Sequence, residues 1–223
     1  MIPTEQSNVV HSSTLHENLE ILVHQIIKSL EANELSNLKR DFHDKLRLAQ
    51  SQPDNTELIE DLWDFFYDWC VFEKAIPDRL SDVTEAEKKA WAVLKEGNFR
   101  SLFSVSRAND SLLKIKDLFG KKSYVVPKSS PSDFIGISRG DIIECRLLPE
   151  DAEKPKQFYF IRRPSFHPTE IHSYVKRKVK EFRKSQDYGA FQSWLWLLVG
   201  MHLKHRFYPQ MPIDKIYDDN SRI

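Results

Sequence analysis

Six aromatic rings fall within the ten residues from Trp63 to Phe72: Trp63, Phe65, Phe66, Tyr67, Trp69 and Phe72. At 100° per residue, the apolar side chains from Leu58 to Phe72 cover more than half of a helical wheel, well beyond the stripe of an ordinary surface helix. The pattern predicts a central helix around which other helices gather. The remaining arc carries Glu57, Glu60, Asp61, Asp64 and Asp68 as a narrow acidic ridge.

Helical periodicity extends to both sides of that segment. Thr14 and Glu17 fit a capping box, followed by Leu15, Leu19, Leu22, Ile26 and Leu30 at spacings of three and four. After a slip in phase near Asn33, Leu35, Leu38, Phe42, Leu46 and Ala49 form a second stripe, stopped by Gln52-Pro53. A further helix opens at Thr84/Glu87 and closes at Gly97-Asn98.

At Phe99 the period drops from 3.6 to 2, as in Phe103/Val105 against Ser104/Ser106 and Leu113/Ile115 against Lys114/Lys116. Turn signals at Ala108-Asn109-Asp110, Gly120-Lys121-Lys122, Ser129–Asp133, Arg139-Gly140-Asp141 and Pro149–Pro155 leave no room for crossover helices, so the strands must run antiparallel. Pro168 then suits the first turn of a fifth helix, with Ile171, Val175, Val179 and Phe182 inward. Asp187 opens a sixth helix that reaches Phe207, apolar nearly all round from Phe191 to Val199, where Gly200 allows another helix to approach closely.

The fold class expected is α+β: a helical frame with a small antiparallel β-barrel or curled sheet, SH3-like or OB-like, inserted between N- and C-terminal helices. The expected boundaries are a tail over 1–13, a helical region over 14–98, a β module over 99–164, C-terminal helices over 165–208 that return to the helical region, and a tail over 209–223.

The chain of 223 residues balances 33 Lys and Arg against 33 Asp and Glu, so it has no global field to draw in nucleic acid or an anionic membrane. Any electrostatic partner must be read by a local patch. Lys176, Arg177, Lys180, Arg183 and Lys184 form such a patch with Lys178 on the fifth helix, and Arg162 and Arg163 follow the aromatic run Phe158-Tyr159-Phe160. The competing interpretation of the basic helix is a solvated face, or a face paired with the acidic ridge.

Chemistry-bearing motifs are sparse. With 6 glycines, the chain has little material for phosphate-cradling loops, and it contains neither a nucleophile elbow nor a Walker loop. Cys70 and Cys145 lie in apolar segments where thiols are inert. His202 and His205 lack the further ligands a zinc site requires, and the acidic ridge lacks the Glu-x-x-His pairs of a di-metal bundle. No cofactor, metal or catalytic residue is assigned, and the sequence leans away from enzymatic activity. The two cysteines make no disulfide framework, no secretory leader is recognised, and the longest apolar run, Trp194–Met201, is far short of a membrane span. The expectation is a non-catalytic cytoplasmic binding or adaptor protein that meets a protein partner through the basic helix or one face of the β module; the alternative is a nucleic-acid-binding accessory protein that contacts phosphates through the basic helix over 176–184, and no membrane contact is expected.

Taken in order, Asp68-Trp69-Cys70-Val71-Phe72, Ser101-Leu102-Phe103-Ser104-Val105, Lys116-Asp117-Leu118-Phe119-Gly120, Gly140-Asp141-Ile142-Ile143 and Arg146-Leu147-Leu148-Pro149 resemble a group of uncharacterised bacterial proteins. In that group an aromatic helix precedes a small β module, sometimes accompanied by a SEC-C zinc-binding motif. The likeness spans Glu57 to Pro168. It implies a bacterial, intracellular origin and a helical frame around a β module. The Cys-rich tail is absent here, so the zinc of that motif is not carried over.

Overall fold

The computed structural model describes residues 12–48, 56–79, 81, 83–128, 134–150 and 156–219. The expected tail over 1–13, the stop at Gln52-Pro53, and the turns at Ser129–Asp133 and Pro149–Pro155 lie largely outside those residues. Mixed helix and sheet, with a curled antiparallel sheet between N- and C-terminal helices, is the architecture found. The chain divides into two compact units: Met1–Ile21 with Ala86–Phe166, and Leu22–Glu85 with His167–Ile223.

The first unit is built on the sheet. Helix α1 (Ser12–Ser29) contributes its N-terminal part, and α4 (Glu85–Lys95) leads into the strands. Gly97 takes φ +70, the left-handed conformation that closes a helix C-terminus, and Asn98 Nδ2 donates to the Leu94 and Lys95 carbonyls at 2.9 and 3.0 Å. The strands are β1 (Phe99–Ala108), β2 (Leu112–Asp117), β3 (Ser123–Pro127), β4 (Ile142–Pro149), β5 (Phe158–Phe160) and β6 (Ser165–His167). Their order is β3-β2-β1-β4-β5, with β6 also paired to β4. Phe103 faces Asp117 on one side and Ile143 on the other, which fixes the register of the central strand.

Alternation sends Phe103, Val105, Ile115, Ile143, Cys145 and Leu147 to the concave interior. The curl continues until the outermost strands meet through their rings, with Tyr124 on β3 4.8 Å from Phe158 on β5. The opposite face carries a buried ion pair, Arg100 Nε donating to Glu144 Oε1 at 2.8 Å.

The second unit is helical. It gathers α2 (Ala32–Leu46), α3 (Thr56–Asp68), α5 (His172–Ser185), α6 (Tyr188–Phe207) and the short α7 (Ile213–Ile216). The aromatic segment is its interior, as its composition demands: Phe65, Phe66, Trp69, Cys70 and Val71 are buried. Phe42 of α2 is the hub, its ring 5.6 Å from Phe66, 5.4 Å from Trp69 and 5.6 Å from Trp196. The segment is not one regular helix, however. It widens into a π turn over Trp69–Glu73 before a 3-10 turn at Ile76–Arg79.

Three expectations require correction here. Asp68 does not belong to an exposed ridge: it is buried where α3 passes into the π turn, whose Trp69, Cys70 and Val71 are buried with it. The fifth helix starts at His172 rather than at Pro168, which instead precedes a 3-10 turn over Thr169–Ile171. Residues after Pro209 are not simply a tail, since Ile216 of α7 and Tyr217 just after it are buried, and Asp219 is held by side chains of α5 and α6. Asp187 caps α6 as read, its carboxylate accepting from the Ala190 N–H at 2.8 Å. Among the described residues, no helix is long and apolar enough to cross a membrane.

Candidate binding interface on the basic helix

Helix α5 has 14 residues, about 21 Å of length at 1.5 Å per residue. Val175 and Val179 are buried and Phe182 is half-buried, which fixes the inward face. The phase of the helix then places Lys176, Arg177, Lys180, Arg183 and Lys184 within an outward arc of about 120°. All five are exposed. Arg177 Nη1 donates to Glu181 Oε1 at 3.0 Å, one turn along the same helix. Lys176, Lys180, Arg183 and Lys184 make no ion pair among the described residues.

Lys178 lies on the other side, 2.6 Å from Asp219 Oδ2 and 3.5 Å from Glu181 Oε2. Its neighbours complete a carboxylate site. The Tyr174 hydroxyl donates to Asp219 Oδ1 at 2.5 Å, Trp194 Nε1 donates to the same oxygen at 3.2 Å, and Arg47 Nη1 donates to the Asp219 backbone carbonyl. Burial pushes the Asp219 carboxyl up, but hydrogen bonds from Lys178 and Tyr174 outweigh it and hold the group below its ordinary value. Burial and the Asp219 carboxylate together push the Tyr174 hydroxyl well above the usual phenol range, so it remains a donor.

The acidic ridge has partners of its own. Asp61 pairs with Arg206, Glu60 and Asp64 are exposed, and Glu57 has a side chain outside the described residues. The ion pairs of Lys178 and Arg177 thus run to Glu181 and Asp219, not to the ridge. Arg162 and Arg163 are not brought together with the α5 cations by the unit they belong to: they follow β5 in the sheet unit, Arg162 half-buried and Arg163 exposed.

The histidines take packing positions. His202 meets His167 edge-on at 5.9 Å, His205 lies 6.2 Å from the Tyr217 ring, and His172 Nε2 is 3.1 Å from the His167 carbonyl. Among the described residues, no group of three or more His, Cys, Asp or Glu is arranged to hold a metal ion. Sequence reasoning missed the Asp219 site entirely. Of its donors, Tyr174 and Arg47 are not singled out by sequence, Lys178 reads as part of the basic face and Trp194 as part of an apolar run, and its acceptor lies beyond the last predicted helix. No protein-family model, curated protein or solved structure matches this chain.

Proposed function

We propose that this chain is a non-catalytic, cytoplasmic binding or adaptor protein whose α5 face holds an acidic segment of a protein partner. The observation that carries this reading is the set of exposed cations Lys176, Lys180, Arg183 and Lys184, which no acidic side chain among the described residues neutralises. Four such charges within about two and a half helical turns favour an anionic ligand laid along the helix. Arg177 adds a fifth, shared with Glu181. The face is an exposed ridge of ammonium and guanidinium groups, with Ser173 its polar neighbour, which suits charge pairing more than bond-breaking chemistry.

A second reading draws on the same arc: a nucleic-acid-binding accessory protein that contacts phosphates through these residues. The arc presents no ring on which a base would stack, so its contacts would run to the backbone alone.

Fluorescence anisotropy with a labelled ten-residue polyglutamate peptide, and with single- and double-stranded oligonucleotides, at low and high salt separates the two. The peptide is expected to bind at low salt and to be released by Lys180→Glu/Arg183→Glu. No peptide binding at low salt, or binding indifferent to the double substitution, refutes the adaptor reading. Salt-steep oligonucleotide binding lost in the same variant establishes the second reading instead.

A further inference from the structure

We infer that Tyr174, Lys178, Trp194 and Arg47 form a carboxylate-binding site for an acidic segment of the partner protein, and that Asp219 occupies it as a ligand supplied by the chain itself. This deepens the proposed function and rests on it.

The site has the composition of a receptor. Three side-chain donors from two helices converge on one carboxylate: the Tyr174 hydroxyl at 2.5 Å, Trp194 Nε1 at 3.2 Å and Lys178 Nζ at 2.6 Å. A fourth, Arg47, holds the adjoining backbone carbonyl. Side chain and main chain of one residue are recognised together, as a peptide ligand would be. The donors on α5 and α6 are placed by the helices themselves, whereas the acceptor comes from the segment after α7. The Asp219 side chain is 34% exposed, so a competing carboxylate can approach from solvent.

Chemistry also determines what can replace Asp219. If it leaves, a half-buried phenol and an indole N–H lose the carboxylate they donate to, and the Lys178 ammonium keeps only the longer contact to Glu181, so the vacated donors cost free energy. A ligand carboxylate restores all three interactions at once, including the charge pairing with Lys178. The site lies on the same helix as the cationic arc, and Tyr174 and Arg177 already touch, with the guanidinium 5.6 Å from the ring centroid. An acidic segment lying on the arc therefore reaches the donors without leaving the helix. Tethering gives Asp219 a high effective concentration, which sets a threshold the partner must exceed.

The test measures anisotropy of the labelled decaglutamate peptide on the full chain. Asp219→Asn empties the site of its carboxylate and is expected to raise affinity at least tenfold over the wild type. Asp214→Asn makes the same change in net charge at an exposed residue of α7 and is expected to leave affinity unchanged. Adding Tyr174→Phe to Asp219→Asn is expected to reverse most of the gain. Equal affinity of Asp219→Asn and wild type, with binding still abolished by Lys180→Glu/Arg183→Glu, overturns the inference and leaves the proposed function standing. Equal gains from Asp219→Asn and Asp214→Asn overturn it too, as bulk charge alone would explain them. Absence of binding in every variant overturns both. Thermal melts check that each variant folds. Should Asp219→Asn fail to fold, Asp219→Glu, whose longer arm misfits the donors, carries the same test with a smaller gain expected and no gain as the refuting result.

Discussion

Gly200 of α6 faces the backbone of Leu46 at the end of α2 so closely that a β-carbon built there would lie 2.9 Å from the Leu46 carbonyl carbon and nearer still to its oxygen. Backbone cannot swing aside as a side-chain tip would. We predict that Gly200→Ala destabilises the protein by about 2 kcal/mol or more despite the better helix propensity of alanine. Gly189, on the same helix, would place its β-carbon 3.5 Å from Asp187 Oδ1, an ordinary contact, so Gly189→Ala is expected to stabilise by up to about 1 kcal/mol. Urea unfolding of the two variants gives opposite signs if the helix approach is as described. Equal signs would contradict it.

Arg100 and Glu144 are 4% and 3% exposed on the face of the sheet opposite its aromatic interior. Removing either partner leaves the other charge buried, whereas removing both leaves none. Glu144→Leu is expected to cost about 3–5 kcal/mol and Arg100→Met a similar amount, with the Arg100→Met/Glu144→Leu double costing far less than their sum. Additive losses in a double-mutant cycle would show that the two side chains do not act as a pair.

Burial pushes the Cys70 thiol from 9.0 up to about 12, against the opposing pull of Lys74 and Arg79. Burial likewise raises Cys145 well above its ordinary value, reinforced by Glu144 and Asp117 and opposed by Arg100. An acid whose native pKa is raised gives stability that is intact below its unfolded value and declines as pH rises past it. Stability is therefore expected to fall from about pH 9 upward, less steeply in Cys70→Ala/Cys145→Ala than in the wild type. Neither thiol should react with a disulfide reagent at pH 8 until denaturant is added. Rapid labelling of the native protein would disprove this account.

Much of this architecture is legible in residue pattern because each element has a strong local cause. The rings from Trp63 to Phe72 exceed what one surface stripe can hold, so their burial follows from counting. The change to two-residue alternation at Phe99 marks β1 to the residue, and Asp187 and Gly97 mark helix ends through capping and positive φ. What could not be read depends on distant neighbours. Asp68 has the periodicity of a solvent position, yet it is buried beside Trp69, Cys70 and Val71, where the helix widens into a π turn. Lys178 is indistinguishable in sequence from Lys176 or Lys180, and only the arrival of Asp219, 41 residues later, turns it from the arc into an ion pair. Arg47 and Asp219 are 172 residues apart, beyond the reach of any periodicity. Arg162 and Arg163 share the charge of the α5 cations but belong to another unit, which charge alone does not reveal.

The helical unit is interrupted in sequence by the whole of the sheet. During synthesis the ribosome releases Phe42, Phe66 and Trp69 long before Trp196, the ring that completes their cluster. The strands from Phe99 to Phe160, by contrast, emerge as one uninterrupted stretch with every pairing partner close behind. Vectorial translation thus imposes an order on assembly: the sheet can close while the earlier aromatic cluster still awaits α6.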